Sequence, residues 1–417
     1  MQLTRLGELQ RVQTMISEGR ATVTDVDQEG ATALHWAASY NHYALCKYLL
    51  DQGADVNAVG GESKASACLW AAHKRHYYIV GLFLRRGADT SLLDLQGFNM
   101  LHLSTFSNAV LQATLLLHFG SGVDAPDSHQ HTALMWAAYN GFPQLVTLYL
   151  RWGARVDLTD ESGSTALHWA LVKGDFKCVQ KLVEYGADRF AVTVAKKTPE
   201  IVAQEMHTEA VWTRALESRG YRPDGHSVGR NSFVWSYLQR HKRIIPVCIF
   251  LAPIFMLWLG LKILGSTAIF IGLPLSVFTV YSMITFTGFL LKRSPSEEKV
   301  LPHTSFLAGV FAASLFWVGV QWVTRVLPGT LTADLSINFL FLISFASCSY
   351  FYFMAMLCDP GYLPLAGGVN EQRLIIEELL DLWKYDPQNF CVHCLVRKPL
   401  RSKHCFRCKR CVAKHDQ

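Results

Sequence analysis

Residues 391–417 carry five of the eleven cysteines, ordered Cys391-Val-His-Cys394 and then His404-Cys405-Phe-Arg-Cys408-Lys-Arg-Cys411. Two Cys-x-x-Cys pairs with a histidine beside the second are the ligand set of Zn²⁺, which takes four thiolates or imidazoles in a tetrahedron. A two-residue spacer lets both sulfurs of a pair reach one ion without strain. Spacing alone groups Cys391, Cys394, Cys405 and Cys408 round that ion. The other six cysteines, Cys46, Cys68, Cys178, Cys248, Cys348 and Cys358, have no pairing pattern. They read as reduced thiols, facing the cytosol or buried in membrane, and not as a disulfide framework.

The elements that must position this cluster differ along the chain. With 417 residues, 50% hydrophobic and only 17% charged, two or three units are expected. The apolar excess falls in residues 244–357. Met1-Gln-Leu-Thr-Arg opens an amphipathic stretch and not a secretion signal. The net charge is +6, and the basic residues flank the apolar segments. They read as topology signals, and no nucleic-acid partner is expected.

Residues 1–220 repeat. Ala33-Leu-His-Trp-Ala-Ala38 returns as Ala67–Ala72, Met100–Thr105, Ala133–Ala138 and Ala166–Leu171, and Gly-Ala-Asp or Gly-Ala-Arg closes four units at Gly53, Gly87, Gly153 and Gly186. Trp36, Trp70, Leu103, Trp136 and Trp169 are spaced by 34, 33, 33 and 33 residues. The period and the Thr-x-Leu-His pattern resemble the ankyrin repeat, in which small alanines let paired helices pack and stacked pairs present a long concave surface. Gly7-Glu-Leu-Gln-Arg11 reads as a second helix whose first helix lies before Met1 or is missing, and Lys197-Thr-Pro199 opens a capping repeat. The column Trp36, Trp70, Trp136 and Trp169 has two readings: aromatic anchors for an extended peptide, or rings packed on neighbouring repeats. Trp70, in a repeat lacking the usual histidine, is the strongest anchor candidate.

After a basic linker at 221–243, four segments are each long enough to span a bilayer: 244–264, 268–291, 305–326 and 335–357. Breaks are expected at Gly265-Ser-Thr267, at Lys292–Lys299 and at Leu327-Pro-Gly-Thr330. Arg240–Arg243, Lys292, Arg293 and Lys299 put the repeats, the middle loop and the cysteine-rich tail on the cytosolic side. No span has Asp, Glu or Arg near its centre, which argues against a cation transporter.

Asp359-Pro-Gly361 and an acidic helical stretch, within residues 358–389, lead into Phe390–Gln417. That last segment, with its core Arg397-Lys-Pro-Leu-Arg-Ser-Lys-His-Cys405, resembles the cysteine-rich domain of the DHHC protein S-palmitoyltransferases. With an ankyrin array and four spans before it, the whole chain is similar to the huntingtin-interacting subgroup and its yeast ankyrin-bearing relatives. The resemblance implies an all-α fold: an ankyrin solenoid, a four-span helical segment and an incomplete zinc domain at 390–417. It implies interleaved structural zinc sites, the first made by Cys391, Cys394, His404 and Cys411. The second begins with Cys405 and Cys408 and takes its other ligands from beyond residue 417. His393 and His415 fall outside the pattern and are expected on an exposed basic face.

The family activity is acyl transfer from palmitoyl-CoA through a cysteine acyl-enzyme to a protein cysteine. Asp416 aligns with the motif aspartate, which orients the histidine base. Gln417 stands where the first motif histidine would be, either as an arbitrary chain end or as part of an Asp-Gln-His-Cys variant, the reading preferred here. The nucleophilic cysteine is not among the 417 residues, so the chain as written is expected to be inactive. The resemblance places the protein in Golgi, endoplasmic reticulum or vesicle membranes, in contact with lipid bilayer, with substrate proteins docked on the array. A membrane-tethered adaptor without chemistry is the competing reading.

Overall fold

The computed structural model describes residues 1–219, 221, scattered positions between 250 and 285, 300–330, 334–357, 359, 361–365, 367–405 and 410–413. It divides into one unit of residues 1–226 and 361–417 and another of residues 227–360.

In the first unit, repeats are built from paired helices: α1 (Gln2–Leu6) with α2 (Leu9–Ser17), α3 (Ala33–Ser39) with α4 (Tyr43–Asp51), α5 (Ala67–His73) with α6 (Tyr77–Arg85), α7 (Met100–Phe106) with α8 (Val110–His118), α9 (Ala133–Asn140) with α10 (Pro143–Arg151), α11 (Ala166–Lys173) with α12 (Phe176–Glu184), and α13 (Pro199–Glu205) with α14 (Glu209–Ser218). The five-residue α1 fills the place of the first helix that was expected to lie before Met1 or to be missing, and Gly7 ends it in the left-handed region at φ 76°. The first helices, five to eight residues long, are too short to persist alone. They hold because the repeated alanines (Ala37, Ala38, Ala71, Ala72, Ala137 and Ala138) are completely buried between neighbours.

Three first helices, α3, α7 and α11, start from the same cap. The Thr32 amide donates to His35 Nδ1 at 3.1 Å, Asn99 to His102 at 3.3 Å and Thr165 to His168 at 3.1 Å, so the histidine plays the part glutamate takes in a capping box. The second ring nitrogen reaches the next repeat: His35 Nε2 lies 3.0 Å from the Ala65 carbonyl and His102 Nε2 lies 3.2 Å from that of His131. Thus the Leu-His step both starts a helix and ties it to its neighbour. The turns between repeats also approach closely. A short hairpin, β1 (Val59–Gly60) with β2 (Ala65–Ser66), passes so near the preceding turn that a Cβ on Gly60 would sit 2.1 Å from the Gly30 carbonyl oxygen.

In the second unit, α15 (Val300–Gln321) continues through a π turn at Trp322–Val326 into α16 (Leu327–Thr330), followed by α17 (Leu335–Leu357). Ala308–Thr330 and Leu335–Met356 are long and apolar enough to cross a membrane. The break expected at Leu327 is absent, because the π turn absorbs the hydrogen bond that Pro328 cannot donate. The helix runs on to Thr330, and Asn338 Nδ2 donates to the Thr330 carbonyl at 3.1 Å while Asn338 Oδ1 accepts from the Trp322 indole at 3.2 Å. The expected spans 244–264 and 268–291 lie, apart from scattered positions, outside the described residues.

The remaining elements return to the first unit: α18 (Val369–Asp381), then antiparallel hairpins of β3 (Phe390–Cys391) with β4 (Val396–Arg397) and of β5 (Lys403–Cys405) with β6 (Arg410–Val412). Ile376, Leu379 and Leu380 occupy one helical face of α18. Together with Tyr385 and Phe390 they belong to the same hydrophobic core as the repeats.

Candidate metal centre and the tryptophan face

Two hairpins bring four ligands together. In β3–β4 the chain turns tightly after Cys391, with Leu395 at φ 55° and its amide donating to the Cys391 carbonyl at 2.7 Å. The Cys394 amide points back at Cys391 Sγ, 3.4 Å away, so the turn supplies an N–H to the sulfur. In β5–β6, His404 and Cys411 are direct cross-strand partners and therefore share one face. Cys405, the next residue along β5, projects to the other face, and this excludes it from the cluster that spacing alone had assigned to it.

Cys391, Cys394, His404 and Cys411 place one ligand atom each within 4.8 Å of one another. His404 Nδ1 lies 3.7 Å from Cys391 Sγ, 3.2 Å from Cys394 Sγ and 3.9 Å from Cys411 Sγ. A tetrahedron with metal–sulfur bonds of about 2.3 Å and a metal–nitrogen bond of about 2.0 Å has sulfur–nitrogen edges of about 3.5 Å. The donor set can hold a metal ion, and with four ligands it leaves no open position. Its electrostatics agree. The Cys391 thiol is held down to about 4, chiefly by the hydrogen bond from the Cys394 side chain, while burial and its neighbours push Cys411 up to about 11. Hydrogen bonding to Cys391 likewise raises Cys394. A divalent ion supplies the charge that lets the three sulfurs ionise together.

Three neighbours that sequence reasoning did not assign support these ligands. The Leu363 amide donates to the Cys411 carbonyl at 2.9 Å and Ala413 to that of Gly361 at 2.8 Å, so Tyr362 pairs with Val412 in an antiparallel bridge beside β6. The glycine of the Asp-Pro-Gly step permits this at φ 82°. His393 is half-buried and stacks on His404 with ring centroids 4.8 Å apart, in place of the exposed basic position expected for it. Cys408, His415, Asp416 and Gln417 lie outside the described residues.

The tryptophans line the layer of first helices and turns. The indole N–H of Trp36 donates to Asp27 at 2.7 Å, Trp136 to Asp127 at 2.9 Å and Trp169 to Asp160 at 2.9 Å, each across nine residues. Trp70 instead reaches Ser63 at 3.1 Å. Burial raises the Asp127 carboxyl, but the bonds from Trp136 and from the His131 and His129 amides outweigh it and hold the group below its ordinary value. The spacing of aspartate and tryptophan was a legible signal for this pairing. Trp36 and Trp70 meet edge to face at 5.3 Å, and together with Phe98, Phe106 and Leu95 they line an open groove of about 1000 Å³.

Fold and site together define an ankyrin-repeat membrane protein with a closed Cys₃His cluster. Residues 68–160, 107–193 and 134–213 match the family of ankyrin repeats in three copies, and residues 29–61 match the single ankyrin repeat. The array of the ankyrin repeat domain of Bcl-3 is 25% identical, covers 50% of this chain and 95% of its own, and has a TM-score of 0.46. Palmitoyltransferase akr1 of Emericella nidulans is 48% identical over 100% of this chain, and its namesake in Aspergillus oryzae is 49% identical over the same share. That of Schizosaccharomyces pombe is 40% identical over 98%. The chain carries ankyrin repeats and is similar over its whole length to these ankyrin-bearing palmitoyltransferases. It spans 56% of the length of the first two relatives and 65% of the third.

Proposed function

We propose that this chain is the docking and metal-binding part of a protein S-palmitoyltransferase. The observation that carries the reading is the meeting of Cys391, Cys394, His404 and Cys411 in one closed cluster, the ligand set the family resemblance implies. Zn²⁺ is the ion these soft donors select, and its role is structural. Cys405 and Cys408 begin a second site. Asp416 orients the histidine base of the acyl-transfer motif, and palmitoyl-CoA is the acyl donor.

In the reaction a cysteine thiolate attacks the thioester carbonyl, CoA leaves as its thiolate, and a substrate cysteine then takes the acyl group. Six of the described cysteines are unsuited to the role of that nucleophile. Cys391, Cys394 and Cys411 are turned into the metal cluster. Burial raises the thiols of Cys46, Cys68 and Cys178 well above the ordinary value, which suppresses the thiolate. Four spans keep the array and metal module on the cytosolic side of a Golgi or endoplasmic-reticulum membrane. The groove beside Trp36 and Trp70 recruits substrate proteins as extended segments.

Incubating the purified chain with an alkynyl palmitoyl-CoA analogue tests the assignment. Hydroxylamine-sensitive label at Cys391, Cys394 or Cys411 would contradict their role as metal ligands. Loss of client pull-down in Trp70→Ala, with metal content unchanged, supports recruitment by the array; unchanged pull-down would contradict it.

A further inference from the structure

The layer of second helices, α4, α6, α8 and α10, is covered by α18 and the β3–β4 knuckle. The fit is specific. A Cβ on Gly81 of α6 would meet Leu380 Cδ1 at 2.9 Å, so the absent side chain is the socket for Leu380. Arg85 pairs with Asp381 and donates to the Glu377 carbonyl at 2.7 Å, closing the C-terminal end of α18. Tyr385 is fully buried and donates to the Leu111 carbonyl at 2.9 Å. At the far end Arg151 of α10 donates to the His393 carbonyl at 2.6 Å, inside the metal knuckle, and His393 stacks on the ligand His404.

We propose that the second-helix face of the array is the seat of the Cys391–Cys394 knuckle, and that docking there couples the folding of the repeats to occupancy of the metal site. Arg85 and Arg151 act as positioning residues for ligands they do not touch. Linkage makes the coupling reciprocal: the ion stabilises the docked state, and docking tightens the ion. The two layers of the array then have separate tasks, recruitment on the first-helix layer and support of the metal module on the second. The coupling rests on the metal reading; the docking does not.

The full chain in detergent, loaded with one equivalent of Zn²⁺, is followed by hydrogen–deuterium exchange of α18 and by metal release to a chromogenic chelator. Arg85→Glu removes a partly exposed, charge-assisted contact and repels Asp381, so α18 should exchange about tenfold faster, with faster metal release. The double variant Arg85→Glu/Asp381→Arg should restore both. Gly81→Leu fills the socket and should raise α18 exchange about 30-fold. If Arg85→Glu and Gly81→Leu both leave α18 exchange unchanged, the docking is refuted. Faster exchange with unchanged metal release refutes the coupling. If the unmodified chain retains no zinc, the metal reading and the coupling fail together, while α18 exchange still decides the docking.

Discussion

Mild acid should loosen the array through its capping histidines, and His102 gives the magnitude. Its Nδ1 accepts the Asn99 amide and its Nε2 faces the His131 carbonyl, so the neutral ring with the proton on Nε2 satisfies both partners. A second proton would point Nδ1–H at an N–H donor. Burial is the largest influence and holds the ring at about 4, against an ordinary 6.5, although the nearby Asp127 and Asp94 carboxylates pull the other way. The unfolded chain thus takes up its proton first as pH falls. The contribution of the neutral ring is whole above about pH 6.5 and is lost progressively toward pH 4. Between about pH 7.5 and pH 5 the loss is about 2 kcal/mol for this residue. His35 and His168 are lowered by the same cause and add to it. The depressed carboxylates, Asp127 among them, lose their contribution only near and below the ordinary 3.8, outside this window. Native-state hydrogen exchange of the α7 amides, corrected for intrinsic rates, reads the effect directly. His102→Gln keeps a capping box but removes the titration. Near pH 7.5 it should lie within about 1 kcal/mol of the unsubstituted chain, and near pH 5 it should be the more protected of the two. Equal pH dependence in both chains would refute the reasoning.

Two further substitutions probe the packing. Gly60→Ala drives a methyl group into the Gly30 carbonyl, a backbone atom that cannot move aside, and should cost about 1–3 kcal/mol, read as a lower thermal midpoint of the array. Tyr149→Phe removes the hydroxyl that meets Thr105 at 2.7 Å inside the fully buried core. It should cost about 1–2 kcal/mol, and unchanged exchange in α10 would show that this bond contributes nothing.

The parts of this structure legible in the sequence are those with a local or periodic signature. The repeat period gave the helix pairs from α3 to α12, and Lys197-Thr-Pro199 marked the cap α13–α14. The apolar run 335–357 became α17 with unchanged bounds. Contacts between distant residues were not legible. Arg85 meets Asp381 across 296 residues, and the apolar face of α18 does not name the surface it covers. The metal cluster shows the same limit. Two Cys-x-x-Cys pairs invite a pair-with-pair grouping, but strand alternation in β5 puts His404 and Cys405 on opposite faces and selects His404 with Cys411. The break expected at Leu327-Pro-Gly-Thr330 was misplaced, because the π turn before Pro328 lets the helix continue to Thr330.

The central claim is that Cys391, Cys394, His404 and Cys411, and not the two Cys-x-x-Cys pairs, hold one zinc ion. X-ray absorption at the zinc edge, on the full chain carrying Cys405→Ser and Cys408→Ser, tests it most directly. The account predicts one retained zinc with three sulfur ligands at about 2.3 Å and one nitrogen at about 2.0 Å. Loss of zinc from that variant would contradict it, as would a four-sulfur shell in the unsubstituted chain at one equivalent of metal.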